Sequence, residues 1–360
     1  MADAILVTGA TGHLGQRLIG QLLERATGPV VAWLHAADEA EFQAKRARFP
    51  TASRLRFAWG DLRAADPFAR VDPGEPATIV HAAAVTRFNV ERELAEAVNV
   101  EGTAKLLAFA RRCPGLGRLA LLSSVYASGL ARGAIAEMPL GDSAGFANHY
   151  EWSKWRAEQL LLDSPDLPWQ IFRVATAIAD DEAGRVSHPN AFHNTLKLLF
   201  YGLLSVVPGE QDTPLYFVTA EFAAASISEL LRSGDPGAIY HVCHSAAESL
   251  TLGQLVDLAF ERFEREEDFS KRRILRPLFC DAETFDLLAD GVDSFAGAVV
   301  NQGLQSVRPF ARQLFAAKSI ANERLVTSLE RYTAPNAKAL VGRTCEFLVR
   351  TRWGKRPDVA

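Results

Sequence analysis

The sequence predicts an α/β protein built on a doubly wound parallel sheet, and three observations carry that prediction. Short apolar runs alternate with helical patterns as far as about residue 180. Those runs are continuous, without polar alternation, as in strands covered on both faces. The first run passes directly into a turn with glycines at Gly9, Gly12 and Gly15, and then into a helix.

Taken in order, residues 4–7 (Ala-Ile-Leu-Val) read as a buried strand, and Leu14, Leu18, Ile19, Leu22 and Leu23 follow at helical spacing. Gly28-Pro29 ends that helix, and residues 30–34 read as a second strand. Residues 37–48 form a charged helical pattern, and 54–58 a third strand. Strands four, five and six are expected at 78–81, 119–122 and 169–174, with helices at 91–112 and 150–163 between them. Beyond 181 the alternation weakens. A helix at 191–204, a short strand at 215–218, a helix at 220–232 and a strand at 239–243 are expected. From 251 the pattern is mainly helical, broken by Pro277, Pro309 and Pro335.

Composition narrows the partners. With 48% hydrophobic and 23% charged residues the chain reads as an ordinary soluble globular protein. A net charge of −4 gives no case for a nucleic-acid partner. Charge is uneven, however: residues 306–360 carry 11 Lys and Arg against 4 Asp and Glu. That excess reads either as a solvated helical face or as a docking surface for an acidic partner. Cys113, Cys243, Cys280 and Cys345 lack metal-ligand spacing and are expected to be reduced thiols, consistent with a cytoplasmic protein; no metal site is expected. No apolar run is long enough for a membrane span, and the first residues carry no secretory pattern.

The glycine turn points to anion binding. Glycines let the backbone approach a pyrophosphate, and the helix start offers free N–H groups and the positive end of its dipole. Thr8, Gly9, Thr11, Gly12, His13, Leu14 and Gly15 make up the expected cradle. Tyr150 and Lys154 lie four residues apart on one helix face. Ser123 and Ser124 end the fifth strand, at the carboxyl edge where such sheets place their sites. A tyrosine whose pKa is lowered by a neighbouring ammonium can act as general acid to a carbonyl, and a serine hydroxyl can stabilise the developing charge. Lys154 would also hold the nicotinamide ribose.

The segment Phe146-Ala-Asn-His-Tyr150-Glu-Trp-Ser-Lys154-Trp-Arg-Ala-Glu158 resembles the Phe-x-Asn-x-Tyr-Glu-x-Ser-Lys-x-x-Ala-Glu signature of thioester reductases and male-sterility-type fatty acyl-CoA reductases, within the extended short-chain dehydrogenase/reductase superfamily. Ser123-Ser124-Val-Tyr-Ala-Ser-Gly129 and Gly133-Ala-Ile-Ala-Glu137 resemble two further motifs of that group. His81-Ala82-Ala83-Ala84-Val-Thr86 is similar to its cofactor edge, Asn99-Val-Glu-Gly-Thr103 to the motif whose Asn braces the site, and Gly60-Asp61-Leu62 to its adenine contact. Residues 202–208 and 214–222 resemble the segments around the substrate mouth. The resemblance spans residues 4–243 and fades beyond 250.

This resemblance implies a Rossmann dinucleotide domain over 1–180, with 215–243 packing back on it, a substrate region over 181–250, and a helical C-terminal region over 251–360. It implies catalytic roles for Ser124, Tyr150, Lys154 and Asn99, and cofactor contacts from the cradle, Asp61, Leu62, Ala82, Ala83, Ala84, Ser123, Tyr150 and Lys154. His35 stands where an Arg usually reads the 2′-phosphate of NADP, so His35 and Arg46, or Arg48, are the candidates for that charge. Val174 replaces a frequent Pro, and Glu221 a usual Asp. NADPH is the expected cofactor, with NAD the alternative. The expected reaction is reduction of an acyl thioester to aldehyde or alcohol. The alternatives on the same fold are a ketone or aldehyde reductase, a secondary-alcohol dehydrogenase, a nucleotide-sugar epimerase or dehydratase, or a cofactor-sensing protein without turnover. Leu196, Leu198, Leu199, Leu203 and Leu204 either line an apolar acyl pocket or belong to the core. The sequence carries no carrier domain, so an acyl group is expected from CoA, a separate acyl carrier protein or a free carbonyl compound. The C-terminal helices are candidates for a pocket cap, a homodimer contact or a carrier-docking surface.

Overall fold

The computed structural model describes residues 4–295, 298–356 and 358. Seven strands form its main sheet: β1 (Ala4–Thr8), β2 (Val30–His35), β3 (Leu55–Gly60), β4 (Pro76–His81), β5 (Arg118–Ser124), β6 (Trp169–Val174) and β7 (Ala238–Val242). All pairings are parallel and the spatial order is 3-2-1-4-5-6-7. The order reverses between β1 and β4, where Leu6 faces Ile79 and Thr8 faces His81. A crevice opens at such a reversal, outside the carboxyl ends of the strands.

Side chains on successive strand residues enter opposite layers. Leu6, Val31, Trp33 and Ile171 pack on one face beneath helices Glu101–Ala110 and His149–Leu162. Val7, Ala32, Leu34 and Phe172 pack on the other, beneath α1 (His13–Arg25) and helix Ala220–Ser233. Those two helices share Leu18, Ile19 and Leu22 with Ile227, Leu230 and Leu231.

The expected helix at 91–112 is divided. Arg92–Ala95 and Glu101–Ala110 are α-helical, and Glu96–Val100 between them is a π-helical turn. Such a turn inserts one residue and re-aims a side chain; here it buries Asn99.

The C-terminal third is mainly helical but contains two strands that the helical pattern hid. Leu278–Cys280 pairs with Val206–Pro208, and Lys318–Ile320 pairs with Gly133–Ile135, both in parallel. Helices Leu252–Phe263 and Ala337–Arg350 share an apolar seam of Leu255, Val256, Ala259, Phe263, Leu340, Val341, Cys345 and Leu348. Leu196, Leu199, Phe200 and Leu204 are buried in the same cluster. These leucines are core, so they give no argument for an apolar substrate. Among the described residues the four cysteines are free thiols, and no helix is long and apolar enough to cross a membrane.

Candidate active site

The glycine turn sits at the sheet reversal. Gly9 is left-handed (φ 70°), and a Cβ there would stand 2.5 Å from the Ala82 carbonyl carbon. A Cβ on Gly15 would stand 2.1 Å from the Gly9 carbonyl oxygen, so helix α1 reaches its position against β1 only with glycine there. Gly12 caps α1 and no side chain satisfies the helix start. Free N–H groups therefore face the crevice, which is the chemistry a pyrophosphate needs. Leu14 and Thr11 are half-buried at this turn.

Thr8 is fixed from below. Its hydroxyl lies 2.7 Å from His81 Nδ1 and accepts from the Ala83 N–H at 3.2 Å. His81 Nε2 lies 3.2 Å from the Thr103 hydroxyl, which donates to the Asn99 carbonyl at 2.6 Å. Burial drives His81 down to about 3, so this relay is neutral. It holds the Ala82–Ala83–Ala84 edge against the glycine turn. Asn99 accepts from Val85 N–H at 2.8 Å and donates to the Val85 carbonyl and the Ser153 hydroxyl, both at 2.9 Å.

Helix His149–Leu162 begins with Asn148, whose side chain accepts from the Glu151 N–H. That cap sets Tyr150 and Lys154 facing the end of β5. Ser124 and Tyr150 are both buried there, and the Ser124 hydroxyl acts to lower the Tyr150 pKa. Lys154 is buried and donates to the Leu122 carbonyl. Ser123 lies behind this pair and donates to Glu158, which is paired at 2.7 Å with the fully buried Arg173.

The direction of the Tyr150 shift differs from the sequence expectation. Burial pushes its hydroxyl up to about 12, with the Ser124 hydrogen bond pulling the other way. The ammonium of Lys154 is spent on a backbone carbonyl and is itself lowered to about 8 by burial, with Glu158 opposing. Burial therefore keeps the Tyr150 hydroxyl protonated at neutral pH. The Phe88 ring meets Tyr150 edge-on at 5.7 Å, and Tyr126 and Phe310 pack on Phe88 at 5.5 and 5.7 Å. This aromatic group, and not the leucine helix, supplies apolar surface beside the phenol.

At the far end of the crevice, Asp61 accepts from Arg63 at 2.7 Å, and that partner holds its carboxyl near 2. His35 Nε2 is 3.7 Å from the same carboxylate, and Leu62 is buried beside Gly102. Lys45 donates to the His35 carbonyl at 2.8 Å. Arg46 points elsewhere, over the Phe57 ring at 5.5 Å. Phe57 precedes Gly60 by three residues on β3, so that guanidinium sits roughly 10 Å toward the strand's amino end. Lys45 and Arg63, neither of which the pattern singled out, are the cations at this edge. His13 is also tied down: its Nε2 is 2.7 Å from Asp180, which Ser187 and Arg17 contact as well. Asp180 lies 167 positions away in the chain, too far for a motif to reveal.

The strand order, the glycine cradle and the Ser-Tyr-Lys group together define an extended short-chain dehydrogenase/reductase fold. Residues 7–227 match the family described as male sterility protein, and the chain belongs to that family. An isonitrile lipopeptide synthase from Streptomyces coeruleorubidus is 27% identical over 213 residues, covering 54% of this chain and 14% of that protein. The chain thus spans about one seventh of that relative's length. Among solved structures, the terminal R domain from the myxalamid PKS-NRPS biosynthetic pathway is similar, with a TM-score of 0.76 and 20% identity over 99% of this chain and 93% of that one. A thiolation-reductase di-domain from an archaeal non-ribosomal peptide synthetase is similar with a TM-score of 0.70 and 18% identity, covering 98% and 76%.

Proposed function

We propose that this protein reduces an apolar acyl thioester to the aldehyde and onward to the alcohol, using NADPH. The observation that carries this is the grouping of buried Ser124, Tyr150 and Lys154 at the carboxyl edge of β5, beside the glycine cradle. The male sterility family and the resemblance of Phe146–Glu158 to thioester reductases support the substrate class. Similarity to a thiolation-reductase di-domain supports a carrier-bound acyl group as one form of it.

The cradle residues 8–15 fit a dinucleotide pyrophosphate, since only glycine leaves room there for the backbone turn. When bound, the nicotinamide supplies hydride to the thioester carbon. Ser124 donates a hydrogen bond to the carbonyl oxygen, and Tyr150 passes it a proton as the charge develops. The resulting hemithioacetal expels the thiol and leaves the aldehyde, which the same two hydroxyls hold for a second reduction. Lys154, fixed by the Leu122 carbonyl, would hold the nicotinamide ribose. Ala82–Ala84 line the cofactor edge, with Asn99 and Ser123 positioning the site from behind. His35, with Lys45 (paired with Glu41) and Arg63 (paired with Asp61), would lie nearest the adenosine ribose and would supply the charge for a 2′-phosphate.

Tyr150→Phe tests the assignment. It keeps the ring and its contact with Phe88 but removes the proton. Turnover is expected to fall about 10²–10⁴-fold, with NADPH affinity unchanged by fluorescence titration. A variant as active as the parent would remove Tyr150 from the reaction.

A further inference from the structure

Three groups from the C-terminal third converge on the catalytic helix, in a region beyond the family match. Pro309 accepts through its carbonyl from the Asn148 side chain at 3.0 Å, at the helix cap. Gln313 is buried, and its amide donates twice: to the Gly129 carbonyl at 2.8 Å and to Glu151 Oε2 at 2.8 Å. Lys318 is also buried, and donates to the Gly129 carbonyl and to Gln313 Oε1 at 2.8 Å.

The two ends of this bridge are the ends of the reaction machinery. Gly129 closes the short turn that starts at Ser124 with a positive φ of 55°, and a Cβ there would stand 2.2 Å from the Gly145 carbonyl oxygen and 2.9 Å from the Phe146 ring. Glu151 follows Tyr150 and is wholly buried. It also accepts from the Ala147 N–H and the Asn148 side chain, each at 2.9 Å. One primary amide therefore spans the Ser124 turn and the Tyr150 helix. Burial raises the Glu151 carboxyl to about 7, and the Lys318 ammonium, joined to it through the Gln313 amide, pulls the other way. Lys318 is in turn placed by its strand: it pairs with Gly133, and the Tyr216 hydroxyl donates to its carbonyl at 3.1 Å.

We infer that Gln313 and Lys318 are positioning residues for the reduction, setting the Ser124–Tyr150 geometry through Gly129 and Glu151. This rests on the proposed reductase reading. It gives part of the C-terminal region a direct role at the site: the segment 309–318 completes the frame around the proton donor. Proton transfer from a fixed hydroxyl is steep in distance, so loss of the bridge acts on the chemical step and spares the dinucleotide cradle, which lies on different elements.

The test uses the full chain with Gln313→Leu, Lys318→Met, Lys318→Arg and, as control, Tyr150→Phe. Single-turnover oxidation of NADPH is followed with octanal, alongside NADPH affinity and thermal midpoint. Gln313→Leu and Lys318→Met are expected to slow hydride transfer by about tenfold or more, with NADPH affinity retained and a larger solvent isotope effect. Lys318→Arg, which keeps the charge and donors, is expected to recover most of the rate. Folded Gln313→Leu or Lys318→Met with parental rates, while Tyr150→Phe is inactive, would overturn this inference alone. If Gln313→Leu does not fold, the Lys318 pair decides: equal rates for Met and Arg would overturn it. Parental activity in Tyr150→Phe would overturn the reductase reading itself.

Discussion

At the scale of single residues, burial decides the chemistry. Tyr150 and Lys154 are both enclosed, and each is pushed toward its neutral form. For Lys154 the charged form is present below about 8 and lost as pH rises through it. The rate of reduction at saturating NADPH is therefore expected to fall with an apparent pKa near 8. Glu158 opposes the burial shift, so Glu158→Gln is expected to move that fall to lower pH; a profile that stays in place would contradict the electrostatic link. The Arg173–Glu158 pair is fully buried. Arg173→Met takes the guanidinium partner from a buried carboxylate and is expected to cost about 3–5 kcal/mol in equilibrium denaturation. A cost below about 1 kcal/mol would mean that water reaches Glu158. Local spacing put Ser124, Tyr150, Lys154 and Asn99 forward, and the structure buries Ser124, Tyr150 and Lys154 at the end of β5 with Asn99 bonded to Ser153 behind them. Sequence reasoning had the direction of the Tyr150 shift wrong, because the Lys154 ammonium turns to the Leu122 carbonyl and desolvation then dominates.

At the scale of elements, the two glycines inside α1 make opposite demands. Gly15 is packed against the Gly9 carbonyl, and Gly20 has open space around it. Gly15→Ala is expected to displace the helix at a cost of about 1–3 kcal/mol and to weaken NADPH binding. Gly20→Ala is expected to stabilise by about 0.5–1 kcal/mol without changing NADPH affinity. Thermal unfolding with and without NADPH reads both; equal effects at the two positions would contradict the packing account. Most elements were legible because apolar runs on a sheet covered on both faces are continuous. The π-turn at Glu96–Val100 was not, since one extra residue leaves the helical period intact on either side. The strands Leu278–Cys280 and Lys318–Ile320 were not, since three-residue pairings carry no periodic signal. The leucines at 196–204 stayed open between pocket and core because an apolar helix face looks the same whether it meets a core or a ligand; the structure puts Leu196, Leu199 and Leu204 in the core.

At the scale of the whole molecule, the C-terminal helices are packed into the middle of the chain. Ile178, Leu196 and Phe217 are buried against Leu252–Phe263 and Ala337–Arg350 in one cluster. A fragment ending at residue 250 would expose that cluster, and it is expected to unfold without a cooperative transition and to bind an apolar dye; a cooperative melt would show that the C-terminal third is dispensable. The reading of the molecule as a thioester reductase is tested most directly by supplying octanoyl-CoA with NADPH and following absorbance and free thiol together. The account predicts NADPH oxidation with release of CoA thiol, followed by consumption of a second NADPH as octanal becomes octanol. NADPH oxidation with octanal but no thiol release from octanoyl-CoA would contradict it, and would make the protein a carbonyl reductase.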